Sequence, residues 1–292
     1  MLVPGITYSH EHIALDLSAV KKTDDTKLDC IEETIQEFHD LYAKGVRNVL
    51  EVSNRGMGRD IKAIQRVSQE TGIQIICSTG YYKEPFFPPE VTELSEEELT
   101  RIMVEEIEVG IEGTKIKAGI IGEIGSSLNR FEETELKVFR AAGAAQKITH
   151  KPLITHTSLA TLALEQIAMF REMDIDLDKI IISHVDLSGD VGYIEEILKT
   201  GVNVAFDTIG KTNYQPDELR VDMLKTLCEG GYSHKILLSL DITRKSNMKH
   251  QGGIGYAYLV DTFLPRLREA GISEMHIQNM TQKNIIRILE EA

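Results

Sequence analysis

The chain has 292 residues, 42% of them apolar, and a net charge of −14 from 46 acidic and 32 basic side chains. That surplus of acid argues against a nucleic-acid partner, which needs a basic footprint on the phosphate backbone. No apolar run approaches the ~20 residues of a membrane-spanning helix, so no membrane partner is expected. The length suits a single (β/α)8 barrel over residues 1–292.

In chain order, a strand over residues 5–14 leads to a helix over 30–44, then a strand over 46–53 and a helix over 59–71. The alternation continues with strand 74–79, helix 95–108, strand 116–124, helix 131–149, strand 153–156 and helix 159–173. It ends with strand 180–184, helix 193–199, strand 202–207, helix 216–229, strand 236–241 and helix 256–270. Gly45, Gly72 and Gly201 fall where helices must stop, the position that favours a residue without a Cβ. Eight strands alternating with eight helices predict a closed α/β barrel, a TIM barrel, rather than an open sheet. No G-x-G-x-x-G follows the first strand, which counts against a dinucleotide fold.

Cys30, Cys77 and Cys228 are odd in number and far apart, which reads as reduced, buried thiols in a cytoplasmic protein. The early first strand leaves no room for a signal peptide.

The most informative stretch is Ser9-His10-Glu11-His12. In a strand His10 and His12 point to one side and Glu11 to the other, so two imidazoles can grip one metal ion. Other ligand-type residues close later strands: Glu123 the fourth, His156 the fifth, His184 the sixth and Asp241 the eighth. A barrel gathers these C-terminal ends on one mouth, where its enzymes keep their chemistry. The six residues predict a binuclear metal site. Lys117, Gly119, Ile121 and Glu123 share a strand face by parity, and a carboxylated lysine could bridge two metals. Lys117 lies roughly 20 Å before Glu123 along the strand, near the floor, so Glu123 is the better bridge.

These residues carry a resemblance. Tyr8-Ser9-His10-Glu11-His12, Lys117-Ala118-Gly119-Ile120-Ile121-Gly122-Glu123-Ile124-Gly125, Thr155-His156-Thr157, His184-Val185-Asp186 and Ser239-Leu240-Asp241-Ile242-Thr243-Arg244 resemble the phosphotriesterase-related branch of the amidohydrolase superfamily, in particular the phosphotriesterase homology proteins. The resemblance implies that His10, His12 and Asp241 hold a buried metal. It places His156 and His184 on a more exposed one, with Glu123 bridging both. It also implies a homodimer. Two departures stand out. The founding phosphotriesterases carry a carboxylated lysine where this chain has Gly122. They also carry an Asp-His pair where it has Asp207-Thr208. The chain has no tryptophan, a common wall residue of organophosphate pockets. Metal-dependent hydrolysis is expected, and true triesterase activity is not.

Two divalent ions would share a bridging hydroxide that attacks an ester, lactone or phosphoester. Asp241 would accept the proton, and Asp186 would orient a ligand or relay the proton onward. Zinc suits the mixed nitrogen and oxygen set best, with manganese, cobalt, iron and nickel open. Specificity should come from loops after the strands, with Tyr81, Lys211, Tyr214 and Arg244 as substrate contacts. Lys211, Arg244 and Lys245 would favour a small substrate with a phosphate or carboxylate group. Arg55 is left open, and Gly58-Arg59-Asp60 is read as the turn into the second helix. His39, His150, His234, His250 and His276 are read as surface or structural.

A deaminase of the same superfamily is one alternative. Those enzymes need a glutamate three residues beyond the fifth-strand histidine, where this chain has Leu159, and the first glutamate beyond is Glu165. A metal-dependent binding or regulatory protein without catalysis is the other.

Overall fold

Strands buried on both faces must be apolar almost throughout, and runs such as Ile180-Ile181-Ile182 have no solvent side to spare for polar residues. The computed structural model describes residues 2–290. Eight parallel strands run in chain order around a nearly closed barrel: β1 (Ile6–Glu11), β2 (Val46–Glu51), β3 (Gln74–Thr79), β4 (Ile120–Ser126), β5 (Leu153–Thr157), β6 (Ile180–Ser183), β7 (Asn203–Phe206) and β8 (Ile236–Leu238). The predicted (β/α)8 architecture is observed. Among the described residues no helix is long and apolar enough to cross a membrane.

Helices α1 (Ile31–Ala43), α2 (Ile61–Thr71), α3 (Glu96–Glu108), α4 (Glu133–Thr149), α5 (Ala163–Glu172), α6 (Val191–Lys199) and α7 (Asp217–Glu229) pack outside the first seven strands. Their starts are written locally. Asp60 caps α2 by accepting from Lys62 N and Ala63 N, both at 3.0 Å. Ser95 and Glu98 form a reciprocal capping box on α3. Gly45, Gly72 and Gly201 all take positive φ at or just beyond helix ends, as predicted.

The last predicted helix is a π-helical turn, Leu259–Phe263, running into α8 (Leu264–Glu269). Sequence reading supplied nothing beyond it. The structure adds α9 (Glu274–Gln278) and α10 (Asn284–Glu290), joined by a second π-turn over Asn279–Lys283. Ile285 and Ile288 of α10 plug the barrel floor against Leu50, Ile120, Ile154, Ile181 and Leu237.

That floor layer sets the mouth. Ile154 and Ala205 face the interior, and two residues onward on the same faces come His156 and Asp207. β4 departs from the simple alternation. Ile120 faces the interior and Ile121 packs outward, so parity with Ile121 would send Glu123 outward. A register irregularity between Ile121 and Ile124 turns Glu123 inward instead. Strand parity over 116–124 is thus corrected. Residues 116–119 precede the strand, with Ala118 N bonded to Glu106 O of α3 at 2.9 Å. Lys117 is exposed there, away from the mouth.

The seam between β8 and β1 closes through side chains. His10 N donates to Ser239 Oγ at 3.0 Å, and Ser9 Oγ to Leu238 O at 3.2 Å. Glu11, fully buried, accepts from Ser239 Oγ at 2.7 Å, Leu240 N at 2.8 Å and Ile242 N at 3.0 Å. Its carboxylate therefore fixes the chain on either side of Asp241. Glu11→Ala would leave three buried donors unpaired, each worth roughly 1–3 kcal/mol. A loss of about 3 kcal/mol or more in urea unfolding is expected, and an unchanged midpoint would remove Glu11 as the seam clasp.

Candidate metal centre

His10 ends up facing the interior because β1 carries it there, and two side chains fix its ring. Its Nδ1 lies 3.1 Å from Ser183 Oγ and 3.1 Å from Asp207 Oδ2. Nδ1 of His12 lies 2.8 Å from Ser53 Oγ. Both Nε2 atoms are therefore aimed at the cavity, and both are buried without a hydrogen-bond partner. Orphaned buried imidazole nitrogens are costly unless something accepts their lone pairs.

Glu123 meets them. Its Oε1 is 3.5 Å from His12 Nε2 and its Oε2 is 3.6 Å from His10 Nε2. The same carboxylate reaches the other side, with Oε2 3.1 Å from His156 Nδ1 and 3.7 Å from His184 Nε2. Asp241 Oδ1 lies 3.2 Å from His12 Nε2 and 3.6 Å from His10 Nε2. The structure thus brings all six predicted ligands together. Five of them form two sets, His10/His12/Glu123 and Glu123/His156/His184, each with ligand atoms within 4.8 Å of one another, and Asp241 adjoins the first set. Separations of 3.5–3.7 Å approach the roughly 3.3 Å edge of a tetrahedron built on ~2.0–2.1 Å metal–nitrogen bonds. The residues fit a metal centre.

Gly122 explains why the carboxylate at the centre of this cluster comes from position 123. Its φ is +118°, and a Cβ there would stand 2.0 Å from the Ile154 carbonyl oxygen. A lysine at 122 is impossible on this backbone, and the register irregularity presents the next side chain instead.

The charges argue in the same direction. Burial alone would raise the Glu123 carboxyl, yet His10, His12, His156 and His184 hold it well below the usual carboxylate range. Burial alone would lower His12, but Asp241 and Glu123 overrule it and push the imidazole up to about 10. Desolvation, reinforced by His184, pulls His156 down to about 4, although Glu123 opposes it. Three buried carboxylates, Glu123, Asp207 and Asp241, therefore create a demand for positive charge at this spot.

Asp207 is the residue that sequence reading undervalued. Its Oδ1 accepts from His184 N and lies 2.8 Å from His184 Nδ1, while Oδ2 faces His10 Nδ1. It orients one imidazole from each pair. The same rule of strand ends that flagged the ligands points to it. Asp186 does not reach the cavity. His184 adopts φ +62°, the chain enters a tight turn over Val185–Ser188, and the Asp186 carboxylate is buried against Arg220 (2.7 Å) and the Thr208 hydroxyl. The contacts expected of Asp186, against rings of the cluster, are made by Asp207.

A cavity of about 480 Å³ opens above the ligands. Tyr81, a predicted substrate contact, does not line it. It prolongs the β3 ladder by bridging to Arg55, and its ring is fully buried 5.9 Å from the Arg55 guanidinium. Alternation turns the next side chain, Tyr82, to the cavity, where its hydroxyl lies 3.3 Å from His156 Nε2. Lys211, Tyr214 and Arg244 do line the cavity. Lys211 is buried with its ammonium on the outer oxygen of Asp241, Tyr214 sits exposed on the rim, and Arg244 reaches Asp25 at 3.2 Å. Lys245 is held by Asp24 and Asp29. Arg55 is tied to Glu90 and Glu106, away from the mouth. Asp60 of Gly58-Arg59-Asp60 caps α2 as predicted, while Arg59 is drawn to Ser78 O and Glu106. His39, His150, His234, His250 and His276 all lie outside the cavity lining.

Comparison with known proteins agrees with this geometry. Residues 3–289 match the Phosphotriesterase family. The phosphotriesterase homology protein of Escherichia coli is 45% identical over 280 residues, covering 96% of each chain. The crystal structure of that protein, with phosphate in its active site, superposes with a TM-score of 0.96 at 44% identity, covering 98% of this chain and 99% of the other. An N-acetyltaurine hydrolase of Dictyostelium discoideum is 31% identical, over 92% of this chain and 76% of the relative. A phospho-furanose lactonase of Mycoplasmopsis synoviae is 30% identical, over 98% and 87%. With its six candidate ligands gathered at the barrel mouth, and near-complete overlap with these relatives, the chain belongs to the phosphotriesterase family of metal-dependent hydrolases.

Proposed function

We propose that this protein is a binuclear metal-dependent hydrolase of small esters, lactones or phosphoesters that carry an anionic group. One observation supports it above the others: the Glu123 carboxylate lies between two histidine pairs, with nitrogen atoms of both pairs 3.1–3.7 Å from its oxygens. His10, His12 and Asp241 would hold the buried ion, and His156 and His184 the one nearer the cavity. Zinc suits this mixed set, and manganese, cobalt, iron or nickel could also occupy it. Such ions supply a nucleophile drawn from water near neutral pH and Lewis acidity at the bond to be cleaved.

The protein's own groups do the rest. Asp241 is the proton acceptor: its inner oxygen lies among the ligands while Lys211 fixes its outer one. A positioned general base of this kind is worth typically ~10²–10⁴-fold in rate. Asp207 holds the rings of His10 and His184 in the orientation that turns Nε2 toward the centre. Tyr82 leans on His156 and offers its hydroxyl and ring edge to a bound substrate. The relatives named as lactonase and N-acetyltaurine hydrolase support cleavage at a carbonyl, ester or amide, beside an anionic group. A deaminase is disfavoured. Leu159 occupies the position where that chemistry needs a carboxylate, and Glu165 lies on α5, outside the cavity lining.

Elemental analysis should find close to two metals per chain, falling in Glu123→Ala together with turnover on a lactone, ester and amide panel. One metal, unaffected by Glu123→Ala, would overturn the bridged centre. Asp207→Asn should lower metal affinity or turnover by about 10–100-fold while leaving the fold intact. Chelator titration reads the first and steady-state kinetics the second, and a variant indistinguishable from wild type in both would remove Asp207 from the site.

A further inference from the structure

Four basic side chains line the cavity: Lys21, Lys83, Lys211 and Arg244. Two of them are already neutralised, Lys211 by Asp241 and Arg244 by Asp25. Lys21 and Lys83 are not. Among the described residues no carboxylate comes within ion-pair distance of either ammonium group, and Lys83 Nζ has only the Glu84 carbonyl at 3.2 Å.

These two cations converge from different segments. Lys21 ends a short helix, Ser18–Lys21, and Lys83 lies on the loop after β3. Lys21 Nζ is 5.3 Å and Lys83 Nζ 5.9 Å from the centre of the same Phe86 ring. Lys83 Nζ is also 5.8 Å from the Tyr82 ring centre. Cation–π attraction offsets some of the desolvation, but roughly 0.5–1 kcal/mol per contact does not replace a counter-ion. Lys83 is half-buried, and burial pulls its ammonium below the usual lysine range; the more distant Glu135 carboxylate opposes that shift and the neighbouring Lys21 charge adds to it.

Lys83 is also built into place. Gly125 N donates to Tyr82 O at 2.7 Å, Phe86 N to Lys83 O at 2.8 Å, and Glu84 N to the buried Glu135 carboxylate at 3.2 Å. The loop packs so closely on β4 that a Cβ at Gly125 would lie 3.0 Å from Lys83 Cβ. A half-buried ammonium on an anchored loop, beside a second unpaired one, is an arrangement that an incoming anion completes.

We infer that Lys83, assisted by Lys21, forms an oxyanion subsite on the cavity wall that takes the phosphate or sulfonate tail of the substrate. The inference rests on the hydrolase reading for the position of the scissile bond. The Tyr82 ring centre is 4.9 Å from the His156 ring centre, and Lys83 Nζ lies 5.8 Å from Tyr82. The tail is therefore joined to the scissile carbonyl by a short spacer that runs along Tyr82. This places tail recognition on Lys83 and Lys21 rather than on Lys211 and Arg244.

The test uses the full metal-loaded chain and two fragments that carry the tail without a scissile bond, ethanesulfonate and methyl phosphate. Ligand-observed NMR titration gives the affinity of each for wild type and for Lys21→Met, Lys83→Met and Lys83→Arg. Loss of one charge-assisted hydrogen bond should weaken binding about tenfold in Lys83→Met. A smaller loss is expected in Lys21→Met, on its exposed helix, and near-wild-type binding in Lys83→Arg. The fragment held more tightly by wild type, and lost with Lys83, identifies the tail as sulfonate or phosphate. Equal affinities in wild type and Lys83→Met, or no binding of either fragment to wild type, would overturn the subsite. The hydrolase reading fails through metal content and turnover instead, so the two failures are distinct.

Discussion

A carboxylate buried among four imidazoles is the constraint on which the rest of this molecule depends. Glu123 is almost completely buried, as are His10, His12 and His184, and Asp207 and Asp241 add two further carboxylates within the same layer. Removing such groups from water costs several kcal/mol per ion, and only close opposite charge recovers it. The imidazoles provide part of that charge, as the upward shift of His12 records. Each ring nitrogen not aimed at the centre meets a hydroxyl or carboxylate: Ser53, Ser183, Tyr82 or Asp207. The cluster is consequently held in place by its own neighbours, and the barrel interior below it is filled with aliphatic side chains.

The backbone around β4 is shaped to serve that carboxylate. A regular strand would turn Glu123 toward the helices beside Ile121. The irregularity at Gly122 reverses the alternation at the cost of a positive φ that only glycine accepts beside the Ile154 carbonyl. Gly122 and Glu123 are thus one device. The choice of glutamate over a lysine one position earlier follows from the space beside β5. Glu11 performs the corresponding task at the seam, holding Ser239, Leu240 and Ile242 so that Asp241 meets the two histidines of β1.

Sequence alone made the barrel legible because parallel strands under helices on every side are near-continuous apolar runs, and the glycines that end helices stand between them. It overran β1, β4 and β8, since residues just outside the ladder remain extended and apolar. The lead-in before Ile120, for example, is tied to α3 by Ala118 N and touches β3 only through Gly119 N on Cys77 O at 2.9 Å. The helices after residue 270 carried too few uninterrupted apolar positions to announce themselves, and their role is visible only when Ile285 and Ile288 meet the floor. The gathering of all six candidate ligands is legible in the sequence because a barrel converts strand ends into neighbours. Tyr81 was misplaced by one residue, the smallest error alternation allows and enough to exchange cavity for core. Which lysines keep a free charge was not readable at all. Pairing of Lys211 with Asp241 and Arg244 with Asp25 joins residues 30 and 219 positions apart.

The end of β7 shows how a distant buried group sets the electrostatics of the mouth. Asp207 is followed by Thr208, whose hydroxyl is held by Asp186 and Arg220, so no imidazole enters the cavity from that position. The cation from this loop comes three residues later, from Lys211. Its place is fixed by Arg220, which is fully buried and binds Gln215 O at 2.6 Å and Asp217 at 2.9 Å. Asp217 in turn accepts from Gly210 N at 3.0 Å and from the Tyr258 hydroxyl at 2.9 Å. The loop is therefore clamped on both sides of Lys211, and the ammonium has one low-energy destination, the outer oxygen of Asp241. A guanidinium that never touches the cavity thus decides where positive charge meets Asp241. Loops around such a clamp can change their tips, and with them the substrate, while the ligand layer beneath stays as it is.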